Sequence, residues 1–81
     1  MNLSEIRKIT NEVLVEEFEV AEALILGEAN FRETLDLDSL DYVDLVVFVE
    51  ENFGIKLIAE DFQKVVTFDD FYTLISAKIN E

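Results

Sequence analysis

Ser39 is the residue whose type and position best suit covalent chemistry in this 81-residue chain. It follows Asp38, and the apolar periodicity of the residues after it predicts that a helix begins here. Asp38 suits the N-cap, where its carboxylate accepts a backbone N–H that has no partner within the helix. The Ser39 hydroxyl would then lie at the domain surface beside the positive end of the helix dipole, a favourable place for an attached phosphate group. A serine near a helix start is otherwise simply a capping residue, and its position alone leaves both interpretations open.

The residue types in the chain argue against catalysis. With no histidine and no cysteine, the usual general base, the commonest metal ligand and any thiolate metal site are missing, and Ser39 has no base to activate it as a nucleophile. The spacing of Asp36 and Asp38 resembles the start of a calcium loop, but Asp41 replaces the glycine of that loop and Val47 replaces its closing glutamate. We therefore predict a protein that is not an enzyme and has no dedicated metal site.

The predicted helix from Asp38 to Phe53 has two apolar faces. One face is typical of a core-facing stripe and gathers Tyr42, Leu45, Val46, Val49 and Phe53. The opposite face carries a narrower apolar strip of Leu40, Val43 and Val47, surrounded by the carboxylates of Asp38, Asp41, Asp44, Glu50 and Glu51. A helix buried on both sides of a small bundle would show the same pattern. An exposed strip would instead indicate a docking surface for basic proteins, since apolar groups supply contact area and charges steer the encounter.

The whole chain is acidic, with 19 Asp and Glu residues against six Lys and Arg and a formal net charge of −13. Such a charge repels nucleic acids and anionic membranes and attracts cationic protein surfaces. Seven of the carboxylates lie between Glu33 and Ile55, a segment with no lysine or arginine. The composition predicts basic protein partners, no nucleic-acid ligand and no stable membrane insertion.

The second predicted helix and its flanks resemble the acyl carrier protein family, in which an Asp-Ser-Leu motif opens the second helix. The match covers nearly the whole chain. The residues that carry the likeness are Phe31, Leu35, Asp38-Ser39-Leu40, Val43, Leu45, Glu50-Glu51 and Phe53-Gly54-Ile55-Lys56-Leu57. The resemblance implies that Ser39 carries 4′-phosphopantetheine, supplied by a phosphopantetheinyl transferase. It also implies acyl synthase and transferase enzymes with basic docking surfaces as partners.

Two positions depart from the pattern of that family. Family members usually carry a glycine two residues before the aspartate of the motif, where this chain has Asp36. The proline often found after the second helix is absent. The first departure concerns only the turn that leads into the helix, and the second concerns the start of the third helix. Both mark a divergent or specialised member in which the attachment serine is retained.

The elements before this helix are a first helix and a long connection. Periodicity predicts a helix from about Ser4 to Phe18, capped by Ser4, whose core-facing side contains Leu3, Ile6, Ile9, Thr10 and Val13. Periodicity weakens from about 19 to 37, where we expect apolar residues pinned over the core or a short helical turn near residues 21–24. In the family resemblance Phe31 and Leu35 are core anchors of this connection.

After the helix, Gly54 can adopt the left-handed conformation that ends it. We predict an inward-packed loop, a short helix near residues 59–64, and a last helix capped by Thr67 with Asp70 at its third position. The apolar face of the last helix, which should end near Ile79, contains Phe68, Phe71, Tyr72, Ile75 and Ile79.

We therefore predict a single acyl carrier domain of residues 1–81, folded as an all-α bundle of three main helices plus one short helix. No apolar stretch is long enough to span a membrane and the first residues lack signal-peptide features, which predicts a cytoplasmic protein, and we expect a monomer. The resemblance implies a carrier of acyl groups in fatty acid, lipid or polyketide biosynthesis. A peptidyl carrier of a nonribosomal pathway, or an acidic protein that mimics nucleic acid and carries no prosthetic group, are the alternatives.

Overall fold

The structure, a computed structural model, describes residues 1–80; Glu81, the last residue of the predicted domain, lies outside this range. Within it, five α-helices follow one another: α1 (Leu3–Phe18), α2 (Phe31–Leu35), α3 (Ser39–Phe53), α4 (Ala59–Gln63) and α5 (Phe68–Ile79). A single 3₁₀ turn covers Glu22–Leu24. The all-α prediction with three main helices is confirmed, and one short helix, α2, lies inside the segment that was predicted as a connection. No helix of the described residues combines the length and the apolar character needed to cross a bilayer.

The cap of α1 is Asn2, and the prediction of Ser4 as the cap is wrong. The Asn2 side chain accepts a hydrogen bond of 2.9 Å from the backbone N–H of Glu5. The Glu5 carboxylate in turn accepts one of 3.5 Å from the Asn2 backbone. This reciprocal pair satisfies two N–H groups that the first helical turn leaves without partners, so the helix begins before Ser4.

The core-facing side of α1 differs in part from the prediction. Ile6, Thr10 and Leu14 are buried, whereas Leu3 is exposed, and the predicted core residues Ile9 and Val13 are only partly buried. Contacts of α1 with both α3 and α5 decide which of its residues are buried. The periodicity of the α1 sequence alone does not reveal these contacts.

Contacts between α1 and α5 include a polar pair at the edge of the core. The Tyr72 hydroxyl donates a hydrogen bond of 2.6 Å to Oδ1 of Asn11. The Arg7 guanidinium lies 5.5 Å from the centre of the Tyr72 ring. The two contacts fix Tyr72 between the helices while its ring remains buried.

The long connection is held on the start of α5 by backbone hydrogen bonds. The N–H of Phe31 donates to the carbonyl of Val66 at 2.9 Å, and the N–H of Asp69 donates to the carbonyl of Gly27 at 2.9 Å. At Gly27 a Cβ atom would lie only 2.5 Å from the Asp69 carboxylate, so a larger residue here would displace that exposed side chain. These long-range bonds satisfy backbone groups in a segment with little regular structure.

The interior of the bundle contains a cluster of aromatic rings, which we call the aromatic cluster: Phe31, Tyr42, Phe62, Phe68 and Phe71. Phe31 stacks on Phe71 with ring centres 4.6 Å apart and meets Phe68 edge-on at 5.2 Å. Phe31 is 1% exposed and Leu35 is also buried, so both predicted core anchors are confirmed. The predicted apolar face of α5 is buried as well, apart from the partly buried Ile79.

Candidate functional site

Ser39 is the first residue of α3, and Asp38 is its N-cap, as the sequence predicted. Oδ1 of Asp38 accepts a hydrogen bond of 2.9 Å from the backbone N–H of Asp41. Because Asp38 performs the capping, the Ser39 hydroxyl is not needed for it, and none of the hydrogen bonds among residues 1–80 uses that hydroxyl. Ser39 is exposed. An exposed hydroxyl without a structural task is available for covalent modification.

The turn into α3 uses a left-handed backbone at Asp36. This residue has a φ of 47° and ends α2, and its N–H donates to the carbonyl of Arg32 at 2.9 Å. Glycine adopts the left-handed backbone conformation most readily, although aspartate tolerates it better than most residues. The turn is therefore formed without the glycine, and it brings α2 alongside the start of α3.

A cleft of about 420 Å³ lies beside Ser39, between α2, α3 and α4. Its walls are mostly apolar, and they consist of Ser39, Tyr42, Val43 and Val46 of α3, Ala59 and Phe62 of α4, and Arg32 of α2. The cleft is open to solvent along one side, since Ser39, Val43, Arg32 and Ala59 are exposed. A cleft of this volume can hold part of a chain attached at Ser39.

Two polar groups other than Ser39 line the cleft. The Arg32 guanidinium donates a hydrogen bond of 3.2 Å from Nη2 to the backbone carbonyl of Phe62. The Tyr42 ring meets the Phe62 ring edge-on, with centres 5.6 Å apart. Burial raises the pKa of the Tyr42 phenol, and the nearby positive charge of Arg32 opposes this. Tyr42 therefore stays neutral and can donate or accept a hydrogen bond at the cleft.

The apolar strip of α3 faces solvent. Leu40 is 75% exposed, Val43 60% and Val47 44%, so α3 is not buried on both sides. Among the surrounding carboxylates Asp38, Asp44 and Glu51 are exposed, while Asp41 and Glu50 are partly buried. The contact surface predicted from the sequence is accessible in the folded chain.

Four of these five carboxylates lie near the ends of α3, and Asp44 lies between them beside the apolar strip. Asp38 and Asp41 lie at its N-terminus, where carboxylates are favourable, and Glu50 and Glu51 lie in its last turn, which contains no basic residue. Carboxylates in a last turn oppose the helix dipole and lower helix stability. Ser39 and Glu50 are about 16 Å apart along the axis at 1.5 Å per residue, so the two groups of charges flank the apolar strip instead of forming one site.

Among residues 1–80 there is no group of three or more Asp, Glu, His or Cys side chains placed to hold an ion.

Sequence reasoning did not single out Arg32 as a site residue. The available signal was its isolation, because it is the only basic residue between Lys8 and Lys56. What brings it to Ser39 is the short helix α2, which was predicted as part of a loop.

Comparison with known proteins shows the family of the chain. The family model described as a phosphopantetheine attachment site matches residues 7–75. An acyl carrier protein of Thermosynechococcus vestitus is 34% identical over 79 residues, which cover 98% of this chain and 98% of the relative. An acyl carrier protein of Petrotoga mobilis is 32% identical over 80 residues, covering 99% and 94%.

A solved structure shares the fold. The crystal structure of an acyl carrier protein from Thermotoga maritima superposes with a TM-score of 0.78 at 25% identity, covering 99% of this chain and 93% of the other. With a family model over most of its length and relatives that match nearly all of it, the chain belongs to the acyl carrier protein family, whose prosthetic group is covalently attached 4′-phosphopantetheine.

Proposed function

We propose that Ser39 is the residue to which 4′-phosphopantetheine is attached, and that the protein carries acyl groups for fatty acid, lipid or polyketide biosynthesis. The observation that carries this proposal is the exposed Ser39 hydroxyl at the first position of α3, where Asp38 performs the capping. Of the three serines of the chain, Ser39 is the one beside the cleft. It also lies within the residues that the family model matches.

The surroundings of Ser39 suit a phosphate ester. The N-terminus of α3 presents the positive end of a 15-residue helix, which favours a negative group. The hydroxyl is accessible to a transferase because neither α2 nor α4 covers it. When bound, the prosthetic group supplies a thiol that holds an acyl group as a thioester. The chain itself contributes attachment, positioning and docking, and its lack of histidine and cysteine leaves the catalytic side chains to partner enzymes.

Docking is the role we assign to the apolar strip and its carboxylates, namely Asp38, Leu40, Asp41, Val43, Asp44, Val47, Glu50 and Glu51. The strip would supply the buried contact area, and the charges would attract basic surfaces on a phosphopantetheinyl transferase and on acyl synthase and transferase enzymes. Glu50 and Glu51 support this role, because they oppose the helix dipole and so do not serve the stability of α3. A stability cost of this kind is expected where charge serves recognition.

The attachment is tested by intact-mass measurement after incubation with a broad-specificity phosphopantetheinyl transferase and coenzyme A. We expect one modification on the wild type, none on Ser39→Ala, and one on the control Ser4→Ala, in which an exposed serine of α1 is removed. A modification that persists in Ser39→Ala would overturn the assignment of the site. A wild-type chain that is never modified would support an acidic interaction protein instead.

The same measurement on native protein identifies the pathway class. An acyl group on the arm supports the fatty acid, lipid or polyketide proposal, and an aminoacyl group supports a peptidyl carrier. The strong acidity of the chain favours the first of these.

A further inference from the structure

Arg32 differs from the other basic residues of the chain in its surroundings. Among residues 1–80, ion pairs join Arg7 to Asp69 and Lys78 to Asp61, and Arg32 takes part in neither. Arg32 forms no ion pair although seven carboxylates lie between it and Ile55 in the sequence. Lys8, Lys56 and Lys64 form no ion pair among these residues either, but Arg32 is the basic residue that lines the cleft beside Ser39.

The position of Arg32 is fixed by the structure around it. Its neighbour Phe31 and Leu35 at the end of the same helix are buried, so α2 is anchored in the core on one side. On the other side, the guanidinium donates to the carbonyl of Phe62 at 3.2 Å. That bond uses one N–H of a planar group that has several more, and the remaining donors are left for another acceptor.

The space next to Arg32 is the cleft and not the interior. Below the cleft, Phe62 meets Tyr42 edge-on and stacks on Phe71 with ring centres 6.0 Å apart. Phe71 in turn stacks on Phe31. These rings fill the centre of the bundle, so a group attached at Ser39 can lie along the cleft without entering the core.

We propose that Arg32 is an oxyanion-binding residue of this cleft, which takes an anionic group on the chain attached at Ser39. Two sources share this chemistry: the phosphodiester next to Ser39, and the terminal carboxylate of a dicarboxylic acyl group. The inference rests on the proposed attachment at Ser39. The guanidinium matches either group, because its planar N–H donors pair with two oxygens of a phosphate or carboxylate.

The cleft suits such a pair for two reasons. Its walls beside Arg32 are apolar, formed by Val43, Val46 and Ala59, so a bound oxyanion is partly shielded from water and its attraction to the guanidinium is strengthened. The Tyr42 hydroxyl is neutral and can donate a second hydrogen bond in the same cleft. An acyl group with only a hydrocarbon end would gain neither interaction.

The test compares thermal midpoints of the unmodified protein, of the holo protein, and of holo protein loaded with a butyryl or a succinyl group. Butyryl and succinyl groups have the same number of carbons and differ in the terminal carboxylate. Each form is prepared in the wild type, in Arg32→Gln and in Lys56→Gln, which removes the same charge from an exposed lysine that does not line the cleft. Differences are taken within each protein, so that a general loss of stability in a variant cancels.

If the phosphodiester is the ligand, attachment raises the midpoint of the wild type and of Lys56→Gln, by about 4–8 °C for an interaction worth about 1 kcal/mol in a domain of this size, and does not raise that of Arg32→Gln. If a cargo carboxylate is the ligand, the succinyl form melts above the butyryl form in the first two proteins and at the same temperature in Arg32→Gln.

Equal differences in all three proteins would overturn the role of Arg32 while leaving the attachment at Ser39 intact. Intact mass separates the two proposals, because a wild type that gains no prosthetic group overturns both.

Discussion

The Nζ atom of Lys78 lies 3.3 Å from Oδ2 of Asp61 and joins the end of α5 to the first turn of α4. The same carboxylate oxygen accepts a hydrogen bond of 3.0 Å from the backbone N–H of Ile58, just before α4 begins. Both side chains are largely buried, so this pair is less screened than an ion pair at the surface. Since α4 forms one wall of the cleft, the contact helps to hold the candidate site in shape.

The first prediction is that Asp61→Asn destabilises the fold at neutral pH by about 1.5–3 kcal/mol, the range for hydrogen bonds to a charged group. The hydrogen bond from Ile58 lowers the pKa of Asp61; burial opposes this, and Lys78 adds to the lowering. A carboxyl whose pKa is lower in the folded state stabilises the fold above its unfolded pKa, and this contribution is lost as the pH falls through the folded pKa. The cost of Asp61→Asn should therefore shrink in acid.

Urea unfolding of both proteins at neutral pH, and at a pH well below the usual pKa of aspartate, measures this difference. Glu60→Gln is the control, because Glu60 is exposed in the same helix turn and forms no hydrogen bond or ion pair within the described residues. A cost of Asp61→Asn that is identical at the two pH values would contradict the assignment.

A second prediction concerns Glu19, which ends α1 in the left-handed conformation with a φ of 56°. Glycine adopts this conformation without the steric cost of a Cβ atom, which favours the folded state of Glu19→Gly. The greater freedom of glycine in the unfolded chain offsets part of this gain. We therefore expect Glu19→Gly to raise the free energy of unfolding by about 0.5–1 kcal/mol. Glu19→Ala removes the same charge and keeps the Cβ atom. If both variants gained the same stability, the loss of the Glu19 charge would explain the effect, and the left-handed backbone would not.

Thr10 provides a third prediction. Its side chain is 2% exposed, and its hydroxyl has no hydrogen-bond partner among the described residues. Thr10→Val keeps the shape and removes a buried polar group without a partner, so it should stabilise the fold by about 1 kcal/mol. Thr73→Val, at an exposed position of α5, should change stability by less than about 0.5 kcal/mol. Chemical denaturation of the two variants measures the change in the free energy of unfolding. A loss of stability in Thr10→Val would show that the Thr10 hydroxyl has a hydrogen-bond partner in the folded protein.

The fourth prediction tests docking. Asp44→Lys should weaken association with a partner enzyme about tenfold or more at low salt, by slowing encounter and without changing the fold. Glu17→Lys makes the same charge change at an exposed position of α1, outside the proposed surface, and should have a smaller effect. Added salt should reduce the difference between the wild type and Asp44→Lys, because exposed charges are screened. Association rates that do not respond to salt would remove electrostatic steering from the proposal.

Features that depend on neighbours within about four residues were predicted correctly from the sequence. They include the Asp38 cap with Ser39 at the first position of α3, the left-handed Gly54, and the Thr67 and Asp70 cap of α5. The reason is that caps and turns satisfy backbone groups locally, so their residue types are visible in the sequence. The cap of α1 was missed because Asn2 and Ser4 are both acceptable capping residues, and only the backbone distinguishes them.

Tertiary packing decided what periodicity cannot show. The helix α2 has only five residues, too few to show a period, and it forms because Phe31 stacks in the core and the connection is bound to the start of α5. The same packing brings Arg32 to Ser39 and places Lys78 against Asp61, 17 residues away in sequence. The sequence by itself determined the local elements, the acidity and the family likeness, because these follow from residue type and short spacing. Which distant residues share the cleft was decided only when the helices packed, because that depends on the free energy of the whole core.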